Sequence, residues 1–295
     1  MIRRLLLVHA HPDDESLWTG GTIARYAAAG VEVSVVTCTL GEQGEVIPAE
    51  WRGLAADAGD QLGGYRVGEL RAACATLGVA VQRFLGGAGR WRDSGMVRSG
   101  SDGRAGPPAR MHPRAFAGGD VAEQTRQLVD VLREVRPQVV VSYGPDGGYG
   151  HPDHIRAHEI TMAAAAQVPE VLRVFWTVLR RSAVDAGVAT LRATAGLPFT
   201  VAPPGYLPSV PDADVDAVID VRCAMAVKMA ALRAHATQLR VWQGTNGERA
   251  VTLAEPIALP VLDAEVYSLA AGHRTTSKTD LFAGIDSGRP TVPAR

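Results

Sequence analysis

A chain of 295 residues that is 46% hydrophobic can bury a large core, enough for one domain with an appendage or for two small domains. Its 30 lysines and arginines stand against 31 aspartates and glutamates. That balance leaves no basic face for nucleic acid and no run of like charge for a membrane surface, so the expected partner is a small neutral molecule.

The first half alternates strand and helix patterns. Leu5 to His9 reads as a short apolar strand, and a helix begins near Glu15 and ends at Gly30. Val31 to Thr37 is a β-branched run, followed by the polar loop Gly41-Glu42-Gln43-Gly44-Glu45. Leu70 to Leu77 reads as helix and Val79 to Leu85 as strand. Val121 to Val135 has helical periodicity and stops at Arg136-Pro137, after which Val139-Val140-Val141 is a buried strand. His154 to Gln167 is a helix and Leu172 to Leu179 a strand. Repeated β-α-β units predict an α/β fold, a Rossmann-like and mostly parallel sheet with helices on both faces.

Beyond residue 181 the rhythm breaks. Residues 195 to 213 carry many prolines, and only a strand near Ala217 to Val221 and a helix from Cys223 to Gln238 stand out. The expected organisation is a catalytic unit over 1–180 and a smaller C-terminal portion over 181–295 that completes a cleft. The Gly-, Arg- and Pro-rich segment from Gly86 to Gly119 is too long for a bland connector and reads as a substrate loop. No apolar run reaches the ~20 residues a bilayer span needs. Leu5-Leu6-Leu7-Val8 is too short for a signal-peptide core, and Cys38, Cys74 and Cys223 form no C-x-x-C pair. A cytoplasmic location with reduced thiols is the simplest expectation.

Two clusters carry chemistry. His11-Pro12-Asp13-Asp14-Glu15 follows the first strand directly, where open α/β sheets bind ligands. An imidazole and two carboxylates suit a metal better than a phosphate; taken alone, though, an aspartate here could simply cap the next helix. Tyr149-Gly150-His151-Pro152-Asp153-His154 follows the strand ending near Tyr143, at the same edge of the sheet. Packing does not explain two such loops, whereas a catalytic metal with three protein ligands and an open position does. Spacing leaves open which second-loop histidine binds: His151 and His154 are three apart, His154 and His158 four apart.

These motifs resemble the signature of the LmbE-like, or PIG-L-type, zinc deacetylases, a His-Pro-Asp-Asp near the start and a later His-Pro-Asp-His. The resemblance extends to Thr37-Cys38-Thr39-Leu40-Gly41-Glu42, to Asp60-Gln61-Leu62-Gly63-Gly64-Tyr65-Arg66, to the stretch from Leu85 through Arg90-Trp91-Arg92-Asp93-Ser94 to Met96, and to Ala234-His235-Ala236-Thr237-Gln238. These look like the branch acting in mycothiol biosynthesis, which removes acetate from N-acetylglucosaminyl-inositol. The match is weakest over residues 97–118 and the middle of the C-terminal portion.

The resemblance implies His11, Asp14 and His154 as metal ligands, for zinc or alternatively ferrous iron, and Asp13 as general base. It sets His151 and Tyr149 over the scissile carbonyl, with His151 protonated, and has Asp153 orient His151 through a hydrogen bond. Arg66 and Asp93 match positions that hold sugar and inositol hydroxyls, and Glu45 lies in a matching active-site loop. A mycothiol S-conjugate amidase, which shares the metal motifs, is the rival enzyme. A metal-bearing but silent sugar-binding module is the rival of a different class.

Other residues point to packing. His9 alternates with His11 and reads as a core histidine, Lys228 and His235 as core or supporting residues, and His158 as a helix residue outside the metal site. Gly86-Gly87-Ala88-Gly89 lacks dinucleotide-loop spacing and reads as a turn.

Overall fold

A computed structural model describes residues 2–99, 104–274 and 277–285. The elements run β1 (Arg4–His9), α1 (Asp14–Ala28), β2 (Glu32–Thr37), α2 (Leu62–Leu77), β3 (Val81–Phe84), β4 (Val97–Ser99), β5 (Arg104–Gly106) and α3 (Val121–Val135). They continue with β6 (Val139–Tyr143), α4 (Pro152–Ala165), β7 (Arg173–Val178), α5 (Arg181–Ala193), β8 (Thr200–Val201) and β9 (Ala217–Asp220). The chain closes with α6 (Met225–Ala234), β10 (Arg240–Gln243), β11 (Arg249–Thr252), β12 (Ile257–Pro260) and β13 (Ala264–Gly272).

A seven-stranded sheet has the order β3-β2-β1-β6-β7-β13-β9. The five strands from the first half pair in parallel, and β13 runs antiparallel to both β7 and β9. The chain steps outward from β1 to β2 and β3, then returns to place β6 on the other flank of β1. The carboxyl ends of β1 and β6 therefore flank a topological switch point, the crevice where such sheets bind ligands.

The inner strands read as continuous apolar runs because both faces are covered. Leu5 and Leu7 face one layer with Ile23, Leu70, Leu77 and Leu232. Leu6 and Val8 face the other, with Leu128, Leu132, Ile160 and Ala164. Local signals set the ends. Asp120 caps α3 by accepting from the N–H of Ala122 and Glu123, and Arg136, at φ 53, ends it before Pro137.

The residues beyond 180 do more than wall a cleft. β9 and β13 re-enter the main sheet as its far edge, while β10, β11, β12 and β8 form a separate four-stranded sheet. This second sheet and α5, which the broken rhythm concealed, stand beside the carboxyl end of β7. The α6 helix ends at Ala234, four residues before the expected Gln238. Within the long segment after β3, β4 and β5 pair as a hairpin.

Gly21 marks a close approach of α1 to Val221, just beyond β9. A Cβ there would lie 2.5 Å from Val221 Cβ and within 3.0 Å of both its methyls. Overpacking of that kind costs about 1–3 kcal/mol, more than the roughly 1 kcal/mol that alanine gains over glycine in a helix. Gly21→Ala should therefore lower the urea midpoint, and adding Val221→Ala should recover part of the loss. A Gly21→Ala chain as stable as the parent would show that the α1 contact is slack.

Candidate metal centre and active site

The turn between β1 and α1 sets the site. β1 ends at His9, and the chain must reverse into α1 within four residues. Asp13 takes φ 97, one of three non-glycine residues with positive φ among those described. Such a conformation costs about 1–3 kcal/mol and persists only where the surroundings hold it. Asp13 stands at the N-cap of α1, yet its side chain makes no capping bond. Its carboxylate is turned away, to Arg66 Nη2 at 3.0 Å.

Three side chains converge beside it. Asp14 Oδ2 lies 3.4 Å from His11 Nδ1 and 3.3 Å from His154 Nε2. Ligand atoms at about 2.05 Å from a tetrahedral ion stand roughly 3.3 Å apart. The tautomers agree with that spacing. His154 Nδ1 bonds the Gly147 carbonyl at 3.1 Å, so Nε2 keeps its lone pair, and this nitrogen is buried with no hydrogen-bond partner. His11 Nε2 faces Asp153 Oδ2 at 3.2 Å, which leaves Nδ1 toward Asp14. Second carboxylates behind metal-binding imidazoles are a common means of fixing the ring. His11, Asp14 and His154 can thus hold a divalent ion, and all three are buried.

The electrostatics favour a cation at the same point. Burial works against a charged His11, but Asp93, Asp14 and Asp153 outweigh it and hold its pKa well above the ordinary value. Burial would raise Asp14, yet His154 and His11 pull it well below the carboxylate range. Asp13 is different. Burial dominates, and despite Arg66 its pKa rises to about 7, the range that suits a base working near neutrality.

The second loop brings Tyr149 and His151 to the cavity wall. His151 caps α4, its Nδ1 accepting the Asp153 N–H at 3.1 Å. That bond requires an unprotonated Nδ1. Burial, then the neighbouring His11 and His154, push His151 well below its ordinary value. With Nδ1 taken by the Asp153 N–H, Nε2 is the ring nitrogen left to face the cavity, an arrangement that does not call for the expected protonated ring. Burial and Asp14 raise Tyr149 far above its ordinary value, so its hydroxyl stays a donor.

A second expectation is corrected at Asp153. Residues 151 and 153 are hydrogen-bonded, but through the backbone N–H of Asp153. Its carboxylate accepts from the Ser94 N–H at 2.9 Å, the Ser94 hydroxyl at 2.5 Å and the Ala117 N–H at 3.2 Å, besides facing His11. The carboxylate braces His11 and the Gly86–Gly119 segment rather than His151.

Arg66, Asp93 and Glu45 all border the cavity, with different freedom. Asp93 is buried rather than solvated; its carboxylate takes the N–H groups of Gln43 and Gly95. Arg66 is 3% exposed and bonds the carbonyls of Gly41 and Pro12 as well as Asp13, so its two Nη groups serve the loop after β2 and the β1–α1 turn. Glu45 is exposed.

The remaining expectations sort cleanly. His9 is satisfied in the core by Tyr143 and Thr19. His158 bonds the Tyr143 carbonyl and lies against Trp176, outside the metal group. Lys228 pairs with Glu265 at 2.7 Å. Gly86, Gly87 and Gly89 make a turn at positive φ. Sequence reasoning assigned no role to Glu42, which accepts the Asp93 N–H, or to Ser94. Both lie inside stretches quoted for the resemblance, and only their partners far along the chain reveal what they hold.

The cavity that opens from the metal group measures about 980 Å³. It runs past Val178 and Arg180 toward α5 and the second sheet, lined there by Val184, Leu191, Tyr206 and Leu259.

Comparison with known proteins agrees with this arrangement. The PIG-L family, described as GlcNAc-PI de-N-acetylase, matches residues 6–165. The chain is 60% identical to the 1D-myo-inositol 2-acetamido-2-deoxy-alpha-D-glucopyranoside deacetylase 1 of Saccharopolyspora erythraea, covering 99% of this chain and 98% of that one. Among solved structures, N,N'-diacetylchitobiose deacetylase from Pyrococcus horikoshii superposes with a TM-score of 0.52 at 18% identity, over 80% of this chain and 70% of the other. The 4-carboxy-2-hydroxymuconate hydratase GalB from Pseudomonas putida superposes at 0.57 and 20% identity, over 94% and 99%. Likeness at that identity speaks for the fold, and a hydratase among the matches shows that the fold does not fix the reaction.

If His11, Asp14 and His154 hold the ion, alanine at any of them should weaken metal affinity by at least about 10-fold. His158→Ala should leave metal content unchanged. Elemental analysis after dialysis against a weak chelator reads both. Metal lost in His158→Ala and kept in His154→Ala would reverse the assignment.

Proposed function

The chain belongs to the PIG-L family of de-N-acetylases, and on that premise we propose that it hydrolyses the acetamide of N-acetylglucosaminyl-inositol to acetate and the free amine. One observation carries the reading: three side chains placed to hold a metal ion stand together, and Asp13, free of capping, faces the cleft that His11 and Asp14 border. The 60% identical relative is named for that substrate. Zinc is the proposed ion, because three nitrogen and oxygen ligands at tetrahedral spacing are what catalytic zinc sites employ. No described helix is long and apolar enough to cross a membrane, and a cytoplasmic enzyme of mycothiol biosynthesis is the accompanying proposal.

An ion held by His11, Asp14 and His154 would supply Lewis acidity toward the carbonyl and acidify a water. Asp13, buried beside the metal group with its pKa raised to about 7, would serve as the base toward an attacking water. The Tyr149 hydroxyl and His151 Nε2–H donate to the developing oxyanion. A neutral imidazole is a poor acid, so the capping bond to His151 Nδ1 supports Asp13 as the group that returns the proton to the leaving amine. The silent binding module is disfavoured, since a purely structural zinc prefers four protein ligands and Asp13 stands free of capping beside the three that converge here.

The inositol half is neutral and rich in hydroxyls, so recognition rests on hydrogen bonds. Asp93 and Glu45 offer acceptors, and Arg66 offers donors where Asp13 and the turn carbonyls leave them. The residues beyond 180 close the far side of the cleft.

Asp13→Asn should lower kcat by at least about 10²-fold with metal retained. A variant near wild type would move the base elsewhere. His151→Ala should lower kcat yet leave the alkaline limb of the pH–rate profile in place, because the ring is already neutral there; a lost alkaline limb would restore a protonated His151.

Free N-acetylglucosamine should be a far poorer substrate than the conjugate, because a site built for hydroxyls penalises their absence. Glu45→Ala should narrow that gap, whereas Arg66→Ala should slow both substrates through Asp13. Specificity constants for both substrates test this. A bulky mycothiol S-conjugate cleaved faster than the acetylated sugar would assign the chain as the amidase.

A further inference from the structure

Behind the metal group lies a buried charged pair that touches neither the cavity nor the metal ligands' nitrogen atoms. Glu15 and His235 are both 0% exposed, with Glu15 Oε1 2.7 Å from His235 Nε2. Neither borders the cavity, so neither meets substrate. A fully buried ion pair is a weak way to gain stability, since removing its charges from water cancels most of the attraction. Its retention here calls for a reason, and the other oxygen of Glu15 supplies one.

Glu15 Oε2 accepts the backbone N–H of Asp13 at 3.0 Å. The Asp13 carbonyl meanwhile accepts from the N–H groups of Ser16 and Leu17. The peptide groups flanking Asp13 are thus pinned on one side by the first turn of α1 and on the other by Glu15. An aspartate at a helix start ordinarily adopts an extended backbone and bonds the N–H two or three residues on. Asp13 does neither, standing at φ 97 with its carboxylate toward Arg66 and the cavity. Left to itself the residue would relax toward ordinary capping, which would withdraw the carboxylate from the cleft.

The pin is itself fixed from the C-terminal portion. Glu15 Oε1 also takes the Ser16 hydroxyl at 2.6 Å. His235 stands at the end of α6, and its near neighbour Thr237 is bound through its N–H and hydroxyl to Glu69 of α2, at 2.8 and 2.7 Å. The Thr237 carbonyl accepts the Ile47 N–H in the loop after β2. His235 therefore reaches Glu15 from a segment tied to two other walls of the site.

We propose that Glu15, clamped by His235, is a positioning residue that holds Asp13 in the turned-back conformation its work as base requires, an inference that rests on the reading of Asp13 as that base. Residues 234–238, the Ala-His-Ala-Thr-Gln segment, then belong to the catalytic apparatus although none of the reacting atoms touch His235. Glu15 sets where the base stands, so its loss should appear in turnover and not in substrate affinity.

The test measures kcat, KM and metal content of the metal-loaded enzyme on the acetylated conjugate. Glu15→Ala should lower kcat by about 10²-fold, the scale of a roughly 1 Å misplacement of a catalytic group, with KM and bound metal near wild type. Glu15→Gln, which keeps an oxygen for the Asp13 N–H, should recover most of that loss. His235→Leu, a gentler change should Glu15→Ala not fold, should lower kcat by at least about 10-fold, while His235→Gln, still able to donate to Glu15, should stay closer to wild type. Unchanged kcat in His235→Leu, a loss that follows metal content, or glutamine no better than alanine at position 15 would each overturn the proposal. Asp13→Asn separates the two readings: if it collapses turnover while Glu15→Ala does not, only the positioning role fails, and if it retains turnover the base itself is misassigned.

Discussion

Five buried carboxylates crowd one crevice: Asp13, Asp14, Glu15, Asp93 and Asp153 are each under 10% exposed. An ionised carboxylate taken from water costs several kcal/mol unless something answers its charge, so the arrangement exists only with cations spaced among them. Each has its own. His235 faces Glu15, Arg66 faces Asp13, and His11 stands among Asp14, Asp93 and Asp153. The strongest concentration of negative charge lies around His11, where a proton or a metal ion answers it. Metal binding and folding of this crevice are in that sense one electrostatic problem.

The fold solves it by bringing distant segments to a single edge. β1 and β6 adjoin in the sheet though their residues stand over a hundred apart in the chain, and the loops that leave them carry the two metal motifs. The segment after β3 contributes Asp93 and Ser94, α2 contributes Arg66, and the end of α6 contributes His235. Almost every polar side chain at the centre answers a group from another element. This explains why the C-terminal portion cannot be treated as a mere wall: it supplies the far edge of the sheet, the outer cleft and the support beneath the base.

What was legible in the chain divides along the same line. The strands and helices of the first half could be read because both faces of β1, β2 and β6 are apolar and the helices end at Gly30, Gly78 and Arg136-Pro137. Two short motifs marked where a metal could sit, but spacing left the second-loop histidine open, and only the resemblance pointed to His154, which the fold brings beside His11 and Asp14. The second half was harder. α5 carries only three buried residues, Val184, Val188 and Leu191, a stripe too thin to announce a helix, and β8, β10, β11 and β12 are strands of two to four residues, too short for alternation to show. Asp93 is flanked by the basic Arg90 and Arg92, and nothing in that local run foretells that the arginines pair with Glu123 and Asp60 while Asp93 is buried. Periodicity carries no information about such choices.

His151 shows how a local backbone need settles a question of proton traffic. The sequence His-Pro-Asp places a proline at the first turn of α4, where its missing N–H costs nothing, and leaves the Asp153 N–H as the donor nearest the cap. His151 Nδ1 accepts it. A residue whose side chain caps a helix through a bare ring nitrogen cannot also carry a proton there without breaking the cap, so the ring is held neutral by geometry as well as by burial. Asp13, whose pKa burial raises to about 7 and whose carboxylate is free of capping duty, is the proposed carrier of the catalytic proton. On the proposed reading, one short motif orders a helix and engages His151 Nδ1 in the cap, which leaves Asp13 as the proposed carrier of the proton.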